Sequence, residues 1–146
     1  MTAKERYVLD GSVALAWCFA DEADSYATAI AKRFPNAEAL VPAIWPLEIA
    51  NALLMGERRK RSTPADTLAW TSFLKSLPIT VDDETNARAW SDTLLFARDR
   101  QLSAYDAAYL ELAVRQGLPL ATLDTKLKKA AAGIGVRPYR APSSRS

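Results

Sequence analysis

The feature that most constrains this chain is a rhythm: a short apolar run, then a helical stretch, repeated. RYVLD (6–10), EALVP (38–42), PITVD (78–82) and LPLATLD (118–124) have the length and makeup of strands, and each is followed by a segment of helical periodicity. A further run, IGVRPY (134–139), predicts a last strand. Short strands alternating with helices build βαβ units, and such units stack into a mostly parallel sheet covered by helices on both faces. The expected fold class is therefore α/β, a single-domain α/β/α sandwich over residues 1–140, with 141–146 as a disordered tail.

The helices carry their own punctuation. The segment 22–34 is amphipathic and stops at Pro35-Asn36, and a long helix over about 43–61 tolerates Pro46 in its first turn. Thr63, Pro64 and Asp66 fall at N-cap, N1 and N3 of the next helix, and Asp83 reads as the cap of the helix 83–101. Gly117 sits where a left-handed C-terminal residue ends the helix before LPLATLD.

Composition removes whole classes of chemistry. At 146 residues, 49% hydrophobic and 25% charged, this is an ordinary globular chain of one-domain size. No apolar run approaches the roughly 18 residues of a membrane span, and MTAKERYVLDG lacks a signal peptide's apolar region, so a cytoplasmic location is expected. There is one cysteine, Cys18, and no histidine. Serine and cysteine triads, histidine acid–base chemistry and imidazole- or multi-cysteine-bound zinc are excluded. A metal held without those ligands is a hard, oxygen-binding one, Mg²⁺ or Mn²⁺. The net charge of +2 hides basic clusters at ERRKR (57–61), KLKK (126–129) and VRPYRAPSSRS (136–146), which are either solvated helix ends and a tail or a surface for a polyanion.

The stretch LSAYDAAYLELAV (102–114) is apolar nearly all round and reads as a buried helix, yet its first turn holds Asp106. Asp106 is either the N3 partner of Ser103 in a capping box or part of something larger. Three other acids bear on the choice. Asp10 ends the first strand, Asp124 lies just past LPLAT, and Glu48 with Asn51 are the only polar residues between 47 and 55. Asp10 and Asp124 are also placed to cap helices. Ligands of open parallel sheets bind beyond the carboxyl ends of the strands, where these four acids converge. Asp82 also ends a strand, but DDET looks like helix capping on an edge strand. Converging carboxylates repel unless a cation joins them, and carboxylates around Mg²⁺ or Mn²⁺ are the equipment of phosphodiester hydrolysis.

The order of YVLDGS, LEIANAL, LSAYDAAYLELA and LATLD resembles the PIN-domain ribonucleases, especially toxins of VapBC-type toxin–antitoxin modules, over residues 6–139. The resemblance implies a PIN-like fold and a Mg²⁺- or Mn²⁺-dependent endoribonuclease with Asp10, Glu48, Asp106 and Asp124 as metal-binding catalytic acids. It also implies Ser12 and Thr122 as hydroxyl partners, Asn51 as a polar neighbour of Glu48, an RNA substrate, a homodimer and a cognate antitoxin. Gly11 departs from the pattern, where a small residue with a side chain is expected.

Other readings fare worse. A haloacid-dehalogenase-like phosphatase needs a second acid where Ser12 stands, and a receiver domain needs paired acids that LDGS lacks. Cys18 has no histidine base. A catalytically silent RNA- or protein-binding module on the same fold is the alternative, though crowded carboxylates serve a pure binder poorly. Trp17, Trp45, Trp70 and Trp90 lie at helix-face positions expected to be mostly core.

Overall fold

The structure, a computed structural model that describes residues 4–142, contains one parallel sheet. Its strands are β1 (Glu5–Leu9), β2 (Ala37–Val41), β3 (Ile79–Val81) and β4 (Leu120–Ala121), in the order β3-β2-β1-β4. Central β1 pairs with β2 through Val8 and Leu40 and with β4 through Val8 and Leu120. Tyr7, Val8 and Leu9 are wholly buried, as a strand covered on both faces must be. The helices are α1 (Gly11–Cys18), α2 (Ser25–Ala31), α3 (Trp45–Arg58), α4 (Pro64–Ser76), α5 (Thr85–Arg88), α6 (Leu94–Arg100), α7 (Ala104–Gln116) and α8 (Thr125–Gly133). This is the expected PIN-like α/β/α arrangement.

Local signals account for many boundaries. Thr63 and Asp66 form both halves of a capping box with Pro64 in the first turn of α4, and Gly117 closes α7 in the left-handed conformation at φ 65°. Asp24 caps α2 by accepting from the Tyr26 and Ala27 amides, so the helix expected from residue 22 begins at Ser25. Residues Ala20–Glu22 form a separate 3₁₀ turn.

Four expectations need correction. The predicted last strand, 134–139, contributes only a single bridge between Pro138 and Leu120, made by the Leu120 amide to the Arg137 carbonyl and the Tyr139 amide to the Leu120 carbonyl. The run 118–124 contracts to two residues, since the Leu123 and Asp124 amides bond side chains instead of a neighbouring strand. The helix 83–101 is interrupted by a π-helical segment, Ala89–Thr93; exposed Asp83 does not cap it, and Glu84 occupies the cap position without a side-chain bond. Trp90 lies in that π segment, whose wider turn breaks the regular helical face, and is 93% exposed rather than core. Trp45 is buried, Trp17 donates to the Ala27 carbonyl, and Trp70 packs edge-on against Phe19. Of the expected disordered tail, 143–146 lies outside the described residues.

The core is built around β1, β2 and β4, and α7 contributes to it. Residues 107–113 are all buried, including Glu111, so this helix is the buried element its composition announced.

Candidate functional site

Asp10 leaves β1 and stands at the N-cap of α1, but its side chain does not bond that helix. Its Oδ2 instead accepts from Ser12 Oγ and Thr122 Oγ1, each at 2.7 Å. Both hydroxyls are oriented from behind: Ser12 Oγ accepts from the Leu123 amide at 2.9 Å and Thr122 Oγ1 from the Asp124 amide at 3.0 Å. With lone pairs engaged by amides, each hydroxyl turns its proton to Asp10. β1 and β4 are neighbours in the sheet, which is why residues 10–12 and 122–124 meet.

Asp124 caps α8, its Oδ1 accepting from the amides of Lys126 at 2.9 Å and Leu127 at 3.1 Å. Ser103 Oγ caps α7 by accepting from the Asp106 amide at 3.1 Å, while the reciprocal bond from the Ser103 amide is not formed. The capping box is thus half made. Burial pushes the Asp106 carboxyl up, Asp10 and Asp124 push it further, and Lys126 and the Ser103 hydroxyl pull it partway back.

Glu48 stands in the first turn of α3, and its Oε1 accepts from the Tyr109 hydroxyl at 2.6 Å. Burial raises its pKa, the Tyr109 bond opposes that, and the charges of Asp10 and Asp106 add to the rise. Tyr109 is held well above its usual range by burial and the Glu48 bond, so it stays protonated and donates. Asn51 is exposed, and the hydrogen bond to Glu48 comes from Tyr109. Tyr109 was not singled out by sequence reasoning because it sits in an apolar helix. The available signal was its place one turn after Asp106 on the same side of α7.

Asp10, Glu48, Asp106 and Asp124 are thus all half-buried, and their charges act on one another at the sheet's carboxyl edge. They are not tightly clustered. Among the described residues, the three acids with carboxylate oxygens all within 4.8 Å of one another are Asp82, Asp83 and Glu84. That group has a cation of its own. Arg115 donates to both oxygens of Asp82, at 3.1 and 2.7 Å, to Glu111 at 2.8 and 3.0 Å, and to Glu84 at 3.4 Å. Burial alone would push the Asp82 carboxyl up, but its bonds to Arg115 and Thr85 more than offset that and hold it below its ordinary value. Asp82 directly follows edge strand β3 as expected, yet its main partner is Arg115, which sequence reasoning missed together with Glu111.

The four looser acids offer only hard oxygen donors, and Asp10, Asp124 and Glu48 each have one carboxylate oxygen engaged and a second without a protein hydrogen bond among the described residues. That donor set fits a hard divalent cation and no soft one.

A family model described as PIN domain matches residues 7–133. Among solved structures, the crystal structure of PAE2754 from Pyrobaculum aerophilum is similar, with a TM-score of 0.63 and 26% identity over 90% of this chain and 82% of that one. No curated protein matches the sequence.

Proposed function

This chain belongs to the PIN-domain family, and we propose that it is a metal-dependent endoribonuclease, the toxin of a type II toxin–antitoxin pair acting in the cytoplasm. PIN domains are generally metal-dependent nucleases. The observation that carries the reading is the set of mutually repelling carboxylates Asp10, Glu48, Asp106 and Asp124, which among the described residues pair with no arginine, while Asp82 and Glu111 do. Mg²⁺ or Mn²⁺ held by these four would acidify a water and offset charge on the phosphodiester. The chain's own groups do the positioning. Ser12 and Thr122 fix Asp10, and the α8 amides fix Asp124.

Exposed Arg58, Arg59, Lys60, Lys126, Lys128, Lys129, Arg137 and Arg140 support a polyanionic substrate. Unpaired RNA suits it, because a single strand bends into a cleft that a duplex cannot enter. Exposed Leu47 and Tyr105, which line one cavity with Ala43, Ile44 and Ala108, support the homodimer, since apolar side chains grouped at a surface tend to be covered. A cognate antitoxin would deliver an arginine to Glu48 or Asp106, whose carboxylates match its planar fork. Among the described residues, no helix is long and apolar enough to cross a membrane.

The test is incubation with mixed RNAs in Mg²⁺ or Mn²⁺ against EDTA. Cleavage that needs the cation, yields 5′-phosphate and 3′-hydroxyl ends and disappears in Asp10→Asn supports the reading. Products with 2′,3′-cyclic phosphates would sink the mechanism, and RNA binding without cleavage would favour the silent module.

A further inference from the structure

We infer that Tyr109 is a positioning residue, its hydroxyl holding the Glu48 carboxylate in the orientation in which it binds the cation. The inference rests on the reading of the four acids given above. The other acids are steadied close to the backbone: Asp10 through two hydroxyls pinned by amides, Asp124 by two amides directly, and Asp106 by a first-turn position beside Ser103. Glu48 has a longer side chain with more rotors, and among the described residues its one hydrogen-bond donor is Tyr109. That bond is also the single hydrogen bond between α3 and α7 among the described residues.

Tyr109 is 1% exposed, on a helix whose apolar buried positions near it are Ala107, Ala108, Leu110, Leu112 and Ala113. Packing alone would be served by phenylalanine, which fills the same space without a polar atom to satisfy. The hydroxyl has one proton and directs it to Oε1, leaving Oε2 without a hydrogen bond among the described residues. A carboxylate held by one oxygen presents the other in a defined direction, as partners of metal ligands commonly arrange.

The experiment measures Mn²⁺ affinity of the intact chain by electron paramagnetic resonance of free Mn²⁺, without RNA. Tyr109→Phe is expected to weaken the Mn²⁺ Kd by about tenfold or more, while melting cooperatively in the absence of cation. In a Glu48→Ala background the same change should leave the Kd within about twofold, because the hydroxyl then has nothing to position. A Tyr109→Phe protein that binds Mn²⁺ like the parent overturns the inference, as does equal weakening in the Glu48→Ala background. A variant that fails to fold marks Tyr109 as structural and also overturns it. A parent that binds no Mn²⁺ overturns the four-acid reading itself, and the role assigned to Tyr109 falls with it.

Discussion

Helix α7 meets two groups of acids and treats them oppositely. Toward its C-terminal end, Glu111 and Asp82 have side chains only 3% and 5% exposed, and both bond Arg115. At its N-terminal turn, Asp106 is half-buried beside Asp10 and Asp124 with only partial relief from Lys126. Removing charge from water is costly, so a fully buried acid survives in the fold only with its cation built in. A half-buried group keeps some hydration and tolerates repulsion, which leaves it available to a cation from solution. The difference separates acids that hold the fold from the acids proposed here to bind a cation.

The largest effect expected is at Arg115. Arg115→Met keeps the apolar stem but strands two buried carboxylates, and should cost about 3–5 kcal/mol in denaturant unfolding. A loss below about 1 kcal/mol would erase the distinction between the two regions. At the other end of α7, Asp106→Asn should melt in EDTA at the parent's temperature or higher. Mg²⁺ at ten times its Kd should stabilise the parent by about 1.4 kcal/mol, and the variant should lose most of that gain. Were Asp106 only a cap, its replacement would instead cost up to about 1 kcal/mol with or without Mg²⁺.

A smaller effect is visible as the sign of a pH slope. Asp82, with its pKa lowered in the folded state, contributes stability that is present above the ordinary carboxylate value and is lost as pH falls through the depressed one. The Arg115→Met penalty should therefore shrink on acidification. Asp106 and Glu48 are raised, so the folded protein holds their protons more tightly than the unfolded chain does. Without cation they subtract stability as pH rises from the ordinary value through the raised one, and the advantage of Asp106→Asn in EDTA should grow with pH. Denaturation midpoints across the acidic range, opposite in trend for the two variants, check both signs.

The smallest effect concerns Gly11, next to Asp10. A Cβ there would lie 3.5 Å from Ile49 Cδ1, an ordinary contact, so nothing in the packing demands glycine. Gly11→Ala should gain about 0.4–1 kcal/mol by restricting the unfolded chain, with Mn²⁺ affinity unchanged. A loss of stability or of cation binding would show that the backbone at Asp10 needs the freedom.

Much of the candidate site was legible because its acids sit at positions with local signatures. Asp10 and Asp124 follow strands, Asp106 follows a capping serine, and Glu48 is one of two polar residues in an apolar stretch. The Arg115 group was not legible, since Asp82 and Arg115 lie 33 residues apart and meet only once β3 and α7 are packed. Trp90 was misread because a π-helical segment alters the helical phase on which its burial was judged.

The sequence by itself determined the element order, the parallel sheet, most helix ends and the buried character of α7. These follow from periodicity, proline, glycine and capping, which act over a few residues whatever the surroundings. Only the tertiary structure decided that Tyr109 serves Glu48, that Thr122 joins Ser12 on Asp10, and that Arg115, already one turn from Glu111, also neutralises Asp82. The physical reason is that a hydrogen bond or ion pair needs its partners within about 3 Å, and for residues 33, 61 or 112 positions apart only packing brings them there.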